Sequence, residues 1–175
     1  MAVLKNRYDI LYMVKDKLGN GIVCAEVGVL RGQFSRWINK IIQPKELHLI
    51  DSWGKHLESF TDYKTFTPQH WIDIMNKVQA KLPKAKLYRM LSIEGATKFP
   101  DEYFDFIYID ADHDRCYEDL VAWYPKLKKG GIIAGHDYNW EKGVVNNVER
   151  DVRKFFKDDF DHTHESLQSW YHFKK

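Results

Sequence analysis

The chain has 175 residues, of which 44% are hydrophobic and 30% are charged, and its formal net charge at pH 7 is +2. This length is enough for one domain with a full core, so we expect a single domain over residues 1–175, with an N-terminal helix in 1–20 and the core in 21–175. The small net charge and the scattered lysines disfavour nucleic acid as a partner.

The apolar segments are short. None approaches the ~20 residues that a membrane-spanning helix requires, and no signal-like apolar segment stands near the N-terminus. Cys24 lies in an apolar run and Cys116 in a predicted helix, as reduced, buried thiols do. These features predict a cytoplasmic protein with no membrane partner.

Helical and strand patterns alternate along the chain. The first half is predicted to begin with a helix from Leu4 to Leu18, a strand from Ile22 to Val27, a helix with Phe34, Trp37, Ile38 and Ile41 inward, and a strand from Leu47 to Ile50. An aperiodic loop over 52–66 follows, then a helix that begins at Thr67-Pro68 and ends before Pro83, and a strand from Ala85 to Met90.

The second half continues the alternation. It is predicted to contain a strand from Phe104 to Ile109 and a helix marked by Cys116, Leu120, Val121, Trp123, Tyr124 and Leu127 and closed by Lys126, Lys128, Lys129 and Gly130. A strand from Ile132, a helix from Val144 to Phe156, and a terminal hairpin from Phe160 to His164 and Trp170 to Phe173 are predicted to follow. The order predicts a three-layer α/β fold with a mainly parallel sheet.

Four of the predicted strands end at an acidic residue, namely Glu26, Asp51, Asp110 and Asp137. In an open parallel sheet, ligands bind outside the carboxyl ends of the strands. We therefore expect these four carboxyl groups to surround one crevice.

The turn after the first strand runs from Glu26 through Gly28 to Gly32. It departs from the dinucleotide fingerprint because Leu30 occupies the position of the second glycine, where a side chain obstructs a diphosphate. A Gly-Lys-Ser/Thr phosphate loop is absent from the sequence too. Glu26 would repel phosphate and favour an ammonium group, and Asp51 could accept from both ribose hydroxyls. A tight turn without a ligand is the alternative, but together these residues favour a phosphate-free adenosine that carries an amino group, such as S-adenosylmethionine.

The stretch FDFIYIDADHDRCYEDLVAWYPKLKKGGIIAGHDY and the closing SWYHFKK carry a family resemblance. From about Val23 to Phe173 the chain resembles class I S-adenosylmethionine-dependent methyltransferases. It is most similar to small-molecule O-methyltransferases of the macrocin O-methyltransferase type, and more distantly to catechol and caffeoyl-CoA O-methyltransferases. The resemblance implies a Rossmann-like, doubly wound three-layer sandwich whose seven-stranded, mostly parallel sheet has an antiparallel last strand. It also implies cofactor contacts from Glu26, Gly28, Gly32, Asp51, Ser52 and Trp53, with Leu91 and Ser92 beside the adenine.

Methyl transfer to oxygen requires removal of the acceptor's proton by a general base, by a metal ion, or by both. The candidate catalytic residues are Asp110, His113, His136 and Asp137. Asp112 and Asp114 precede a helix, so helix capping explains them better.

A metal site is one route to proton removal. The resemblance implies a divalent cation, Mg²⁺ or Mn²⁺, held by Asp110 and by a pair that here reads His136-Asp137. An imidazole in this set shifts the preference toward Mn²⁺, iron or zinc. The alternative is that His136 or His113 acts as a metal-free base.

The sequence thus predicts a cytoplasmic transferase that O-methylates a small hydroxylated molecule, such as a sugar or a secondary metabolite. The alternatives are a non-catalytic protein that binds S-adenosylmethionine or a related adenosine ligand, and a nicotinamide-dependent oxidoreductase, which Leu30 disfavours. Acceptor specificity would come from the 52–66 loop, the 138–143 segment, the N-terminal helix or a second subunit. The abundance of Trp and Tyr is compatible with a homodimer.

Overall fold

The computed structural model describes residues 3–54, 66–139 and 147–175. Within these ranges seven strands form one sheet. The strands are β1 (Val23–Val27), β2 (Glu46–Asp51), β3 (Lys86–Arg89), β4 (Phe104–Ile109), β5 (Leu127–Gly135), β6 (Asp161–His162) and β7 (Trp170–Phe173). The helices are α1 (Arg7–Leu18), α2 (Gln33–Ile42), α3 (Pro68–Lys81), α4 (Ser92–Ala96), α5 (Cys116–Trp123) and α6 (Asn147–Phe156).

The strand order is β3-β2-β1-β4-β5-β7-β6. Strands β1 to β5 are parallel to one another, whereas β7 is antiparallel to both β5 and β6. The predicted Rossmann-like sheet with an antiparallel last strand is confirmed. The chain order reverses between β1 and β4, and ligands of such sheets bind in the crevice at this point, outside the carboxyl ends of the strands.

Successive strand residues face opposite helical layers, as strand geometry requires. Cys24, Leu49 and Tyr108 belong to the core under α1, α2 and α3, whereas Ala25 and Ile107 belong to the core under α4, α5 and α6. Because both faces of the sheet are covered, the central strands are almost continuously apolar.

Local sequence signals explain where two helices begin. Asn6 forms a capping box with Asp9 at the start of α1. Thr67 caps α3, with Pro68 at the first helical position, as predicted. In both cases a side chain satisfies backbone N–H groups that the helix leaves unpaired.

The structure corrects the predicted boundary between α5 and β5. Strand β5 begins at Leu127, so Lys128, Lys129 and Gly130 lie in the strand and not at the end of a helix. Leu127 pairs with Phe104 before the register shifts, and Lys128 donates to Asp105 at 2.8 Å. This pairing outweighs the usual preference of glycine for a helix end.

One side chain predicted to face the core is exposed instead. Trp37 is 39% exposed, because it lies at the edge of the apolar stripe of α2. Val121, which helped to mark the helix α5 in the sequence, is 52% exposed. The short helix α4 was not predicted.

Three predicted segments lie partly outside the described residues. They are most of the 52–66 loop, the 140–143 part of the 138–143 segment, and the predicted start of the helix from Val144. None of the helices in the described ranges combines the length and apolar character that crossing a bilayer demands.

Candidate functional site

The turn between β1 and α2 follows a path that only glycine allows at Gly28. This residue has a φ of 89°, and a Cβ there would lie 2.0 Å from the carbonyl oxygen of Asp110. Gly32, at the start of α2, also has a positive φ, of 67°. The two glycines fix a tight turn against the end of β4.

Asp51, at the end of β2, holds this turn in place. Its Oδ2 accepts from the backbone N–H groups of Val29 and Leu30, both at 2.8 Å, and its Oδ1 accepts from that of Trp53 at 2.7 Å. A carboxylate has about four lone-pair sites, so one acceptor direction is left for a ribose hydroxyl.

The two residues after Asp51 differ in exposure. Ser52 is half-buried. The side chain of Trp53 is fully buried, and its indole N–H donates to the carbonyl of Leu30 at 2.9 Å. Trp53 therefore fastens the turn, and contact with a ligand would involve its backbone.

Glu26 is a buried acid on β1, with 2% exposure. Ser35 of α2 donates a hydrogen bond to it. Burial raises the pKa of Glu26 well above its ordinary value, although the Ser35 hydrogen bond opposes the shift. An ammonium group brought beside it would favour the ionised form, as expected for the predicted contact.

Leu91 and Ser92 stand at the start of α4. Leu91 is 39% exposed and offers an apolar surface. The Ser92 hydroxyl accepts from the indole N–H of Trp123 at 2.9 Å. Burial raises the pKa of the neighbouring Asp119 to about 7, and a hydrogen bond with Ser92 opposes this shift. The Ser92 side chain thus belongs to a buried polar network.

Asp110, His113 and Asp137 come together at the carboxyl ends of β4 and β5. One ligand atom from each lies within 4.8 Å of the other two. His113 Nε2 is 3.0 Å from Asp137 Oδ2 and 3.9 Å from Asp110 Oδ1. Adjacent parallel strands end side by side, so Asp110 and Asp137 form one cluster although they are 27 positions apart in sequence.

The charges in this cluster stabilise one another. Interactions with the carboxylates of Asp110 and Asp137 raise the pKa of His113 to about 10. Burial alone would raise the pKa of Asp137, but hydrogen bonds from His113 and His136 outweigh it and hold that pKa below its ordinary value. At neutral pH His113 is therefore an imidazolium between two carboxylates, and a metal ion would have to displace its proton.

His136 contacts the same carboxylate from another direction. Its Nδ1 lies 3.0 Å from Asp137 Oδ1. Among the described residues, the group with metal-ligand spacing contains His113 and does not include His136. The role of His136 as a metal ligand therefore stays a prediction: its ring contacts Asp137, and His113 supplies the third ligand atom of this group.

The backbone of Asp137 is itself unusual, with a φ of 55°. Neighbouring hydrogen bonds hold this strained conformation: the N–H of His136 donates to Ile109, and the N–H of Tyr138 donates to Gln168. Strain of this kind is concentrated at functional sites.

The remaining residues of this edge have separate roles. Asp112 caps the turn by accepting from the N–H of Asp114 at 3.0 Å, as predicted, and Asp114 accepts from the Asn147 side chain at 2.5 Å. Arg7 was not predicted to belong to the site, yet its Nη1 lies 3.9 Å from Asp110 Oδ2. The sequence did hold one indication of this contact: Arg7 stands at the start of the helix before β1, and a helix antiparallel to β1 begins at the carboxyl edge of the sheet.

A family described as a methyltransferase domain matches residues 25–138, more than half of the chain. The chain belongs to this family. It is therefore an S-adenosylmethionine-dependent methyltransferase, and the matched span contains the β1 turn, Asp51 and the Asp110–His113–Asp137 cluster. No curated protein sequence matches this methyltransferase at a significant level.

Solved structures share its fold. An O-methyltransferase from Bacillus cereus in complex with SAH is 16% identical, with a TM-score of 0.62 over 97% of this chain and 80% of that one. A Staphylococcus aureus protein provisionally assigned as a caffeoyl-CoA O-methyltransferase is 14% identical, with a TM-score of 0.71 over 100% and 86%. Spermidine synthase from Thermotoga maritima is 17% identical, with a TM-score of 0.64 over 97% and 61%. At these identities the likeness is one of fold.

Proposed function

We propose that this methyltransferase transfers the methyl group of S-adenosylmethionine to a hydroxyl oxygen of a small molecule, such as a sugar or a secondary metabolite. The observation that carries the proposal is the cluster of Asp110, His113 and Asp137 beside the β1 turn. The departing thioether is neutral and needs no acid, so the protein's tasks are to align the acceptor and to remove its proton.

The structure supports a cofactor position next to this cluster. Gly28 packs against the backbone of Asp110, so a ligand bound over the β1 turn would reach the end of β4. Asp51 would accept from the ribose, and Leu91 would contact the adenine. Glu26 would lie beside the amino group of the methionine part.

The cluster also suits a divalent cation. Asp110, His113 and Asp137 would be its ligands, and two carboxylates with one imidazole favour Mn²⁺, iron or zinc over Mg²⁺. A bound cation would lower the pKa of the acceptor hydroxyl. His136 would then orient Asp137 through the 3.0 Å contact.

The metal-free alternative uses a histidine as the base. His136 directs Nδ1 at Asp137, so its Nε2 is the ring nitrogen left to accept a proton. His113 is a weaker candidate, because its pKa of about 10 keeps it protonated at neutral pH.

Transfer of a labelled methyl group tests the proposal. Wild-type protein would be assayed with sugars, polyols and catechols, and with amines and thiols of similar size as controls. We expect label on hydroxyl oxygen, loss of transfer after chelation, and recovery with Mn²⁺. Transfer that survives chelation but is lost in His136→Gln would establish the metal-free route. Transfer to amines alone, or binding of the demethylated cofactor with no transfer to any acceptor, would contradict the proposal.

A further inference from the structure

Arg7 lies at the mouth of the crevice, although it belongs to the N-terminal helix. It is the first residue of α1, which runs antiparallel to the strands, so its side chain reaches the carboxyl edge of the sheet. Its Nη1 is 3.9 Å from Asp110 Oδ2, and its side chain is 24% exposed. A cation from outside the matched methyltransferase span thus stands beside the cluster.

Aromatic side chains hold the guanidinium of Arg7 in place. Its central carbon lies 5.1 Å from the centre of the Phe34 ring and 5.8 Å from that of the Tyr8 ring. The guanidinium also forms hydrogen bonds with the hydroxyl groups of Tyr8 and of Tyr108, which is buried in β4. Packing on ring faces fixes the plane of a guanidinium, and the N–H groups that do not donate to the two tyrosines lie at the edges of that plane, where they can bind an anion.

The contact with Asp110 leaves hydrogen-bonding capacity on Arg7. A separation of 3.9 Å exceeds hydrogen-bond length, so the contact is electrostatic. A guanidinium has five N–H donors in a planar fork that matches a carboxylate. The imidazolium of His113 balances only one of the two negative charges of Asp110 and Asp137, so an anionic ligand group would still be repelled without the second cation that Arg7 supplies.

We propose that Arg7 binds a ligand carboxylate at the mouth, in front of Asp110. The inference rests on the proposed function, because it assumes that cofactor and acceptor meet at this cluster. Two sources could supply the carboxylate: the methionine part of the cofactor, or an acidic acceptor. Arg7 is in either case the residue that selects for the negative charge.

The first arm of the test concerns the cofactor. Calorimetry would compare S-adenosylhomocysteine with its decarboxylated analogue on wild type, Arg7→Gln and Arg7→Lys. Arg36→Gln is the matched control, because Arg36 is exposed on α2. If the cofactor supplies the carboxylate, Arg7→Gln should weaken S-adenosylhomocysteine at least about tenfold, leave the analogue unchanged, and be partly rescued by lysine.

The second arm concerns the acceptor. Binding of 3,4-dihydroxybenzoate and of catechol would be measured on the protein loaded with S-adenosylhomocysteine, so that the readout does not depend on turnover. If the acceptor supplies the carboxylate, Arg7→Gln should lose affinity for dihydroxybenzoate and keep that for catechol.

The proposal is overturned if Arg7→Gln prefers the carboxylate-bearing ligand of each pair as strongly as wild type does. It is likewise overturned if Arg7→Gln leaves the cofactor comparison unchanged and neither acceptor binds to any variant. A failure of the proposed function looks different. In that case methyl transfer to hydroxyl groups would be absent from wild type, while the binding comparisons would still decide the role of Arg7.

Discussion

Gly28 packs directly against the backbone carbonyl of Asp110. A Cβ at Gly28 would lie 2.0 Å from that oxygen, far inside van der Waals contact. The turn expected to carry the cofactor and the strand end that carries the reactive cluster are therefore joined without an intervening side chain. This contact sets the distance between the two halves of the site.

Gly28→Ala should destabilise the fold and abolish cofactor binding, because the new methyl group would force the turn away from β4. Gly19→Ala is the matched control, since Gly19 also has a positive φ, of 79°, but a Cβ there would meet nothing within 4 Å. We expect a loss of roughly 1 kcal/mol for Gly19→Ala and several for Gly28→Ala, measured by urea denaturation. Equal losses would show that backbone strain alone requires Gly28.

Asp51→Ala should destabilise the β1 turn, because three backbone N–H groups would lose their acceptor. The expected loss in the free energy of unfolding is roughly 2–4 kcal/mol, with weaker binding of S-adenosylhomocysteine by calorimetry. Asp51→Asn keeps one acceptor oxygen and should lose less. Asp16→Ala, at an exposed position on α1, is the control. An Asp51→Ala variant as stable as this control would refute the role of Asp51 in the turn.

Asp119 should make the protein less stable as pH rises from about 4 to 7. Burial raises its pKa from 3.8 to about 7 in the folded state, so over this range the unfolded chain releases the proton while the folded chain keeps it. The resulting loss is complete above about pH 7 and amounts to at most roughly 4 kcal/mol.

Asp119→Asn removes this titration and can still accept a hydrogen bond from Ser92. Urea denaturation between pH 4 and pH 8 should show a stability difference between the variant and wild type that grows in favour of the variant as pH rises. A difference that is independent of pH would mean that Asp119 is ionised in the folded protein.

The sheet and its site edge could be predicted because local patterns and topology agree. Apolar runs ending in Glu26, Asp51, Asp110 and Asp137 marked four strand ends, and parallel pairing brings such ends to one edge. The start of α3 at Thr67-Pro68 was likewise a local signal.

Side-chain direction at the loops was not predictable in the same way. His136 is adjacent to Asp137 in sequence and contacts its Oδ1, but the ligand group with Asp110 contains His113, which the turn over 113–115 brings to Asp137 Oδ2. Arg7 reaches the cluster only through the packing of α1 on Phe34. These contacts depend on tertiary packing, which the sequence pattern does not specify.

The central claim is that methyl transfer takes place at the Asp110–His113–Asp137 cluster. The most direct test is the rate of labelled methyl transfer by His113→Gln, measured with the cofactor saturating. His164→Gln is the control, because His164 is exposed on the terminal hairpin. We predict that His113→Gln binds S-adenosylhomocysteine like wild type but transfers methyl groups at least about a hundredfold more slowly. A wild-type rate in His113→Gln would contradict the account.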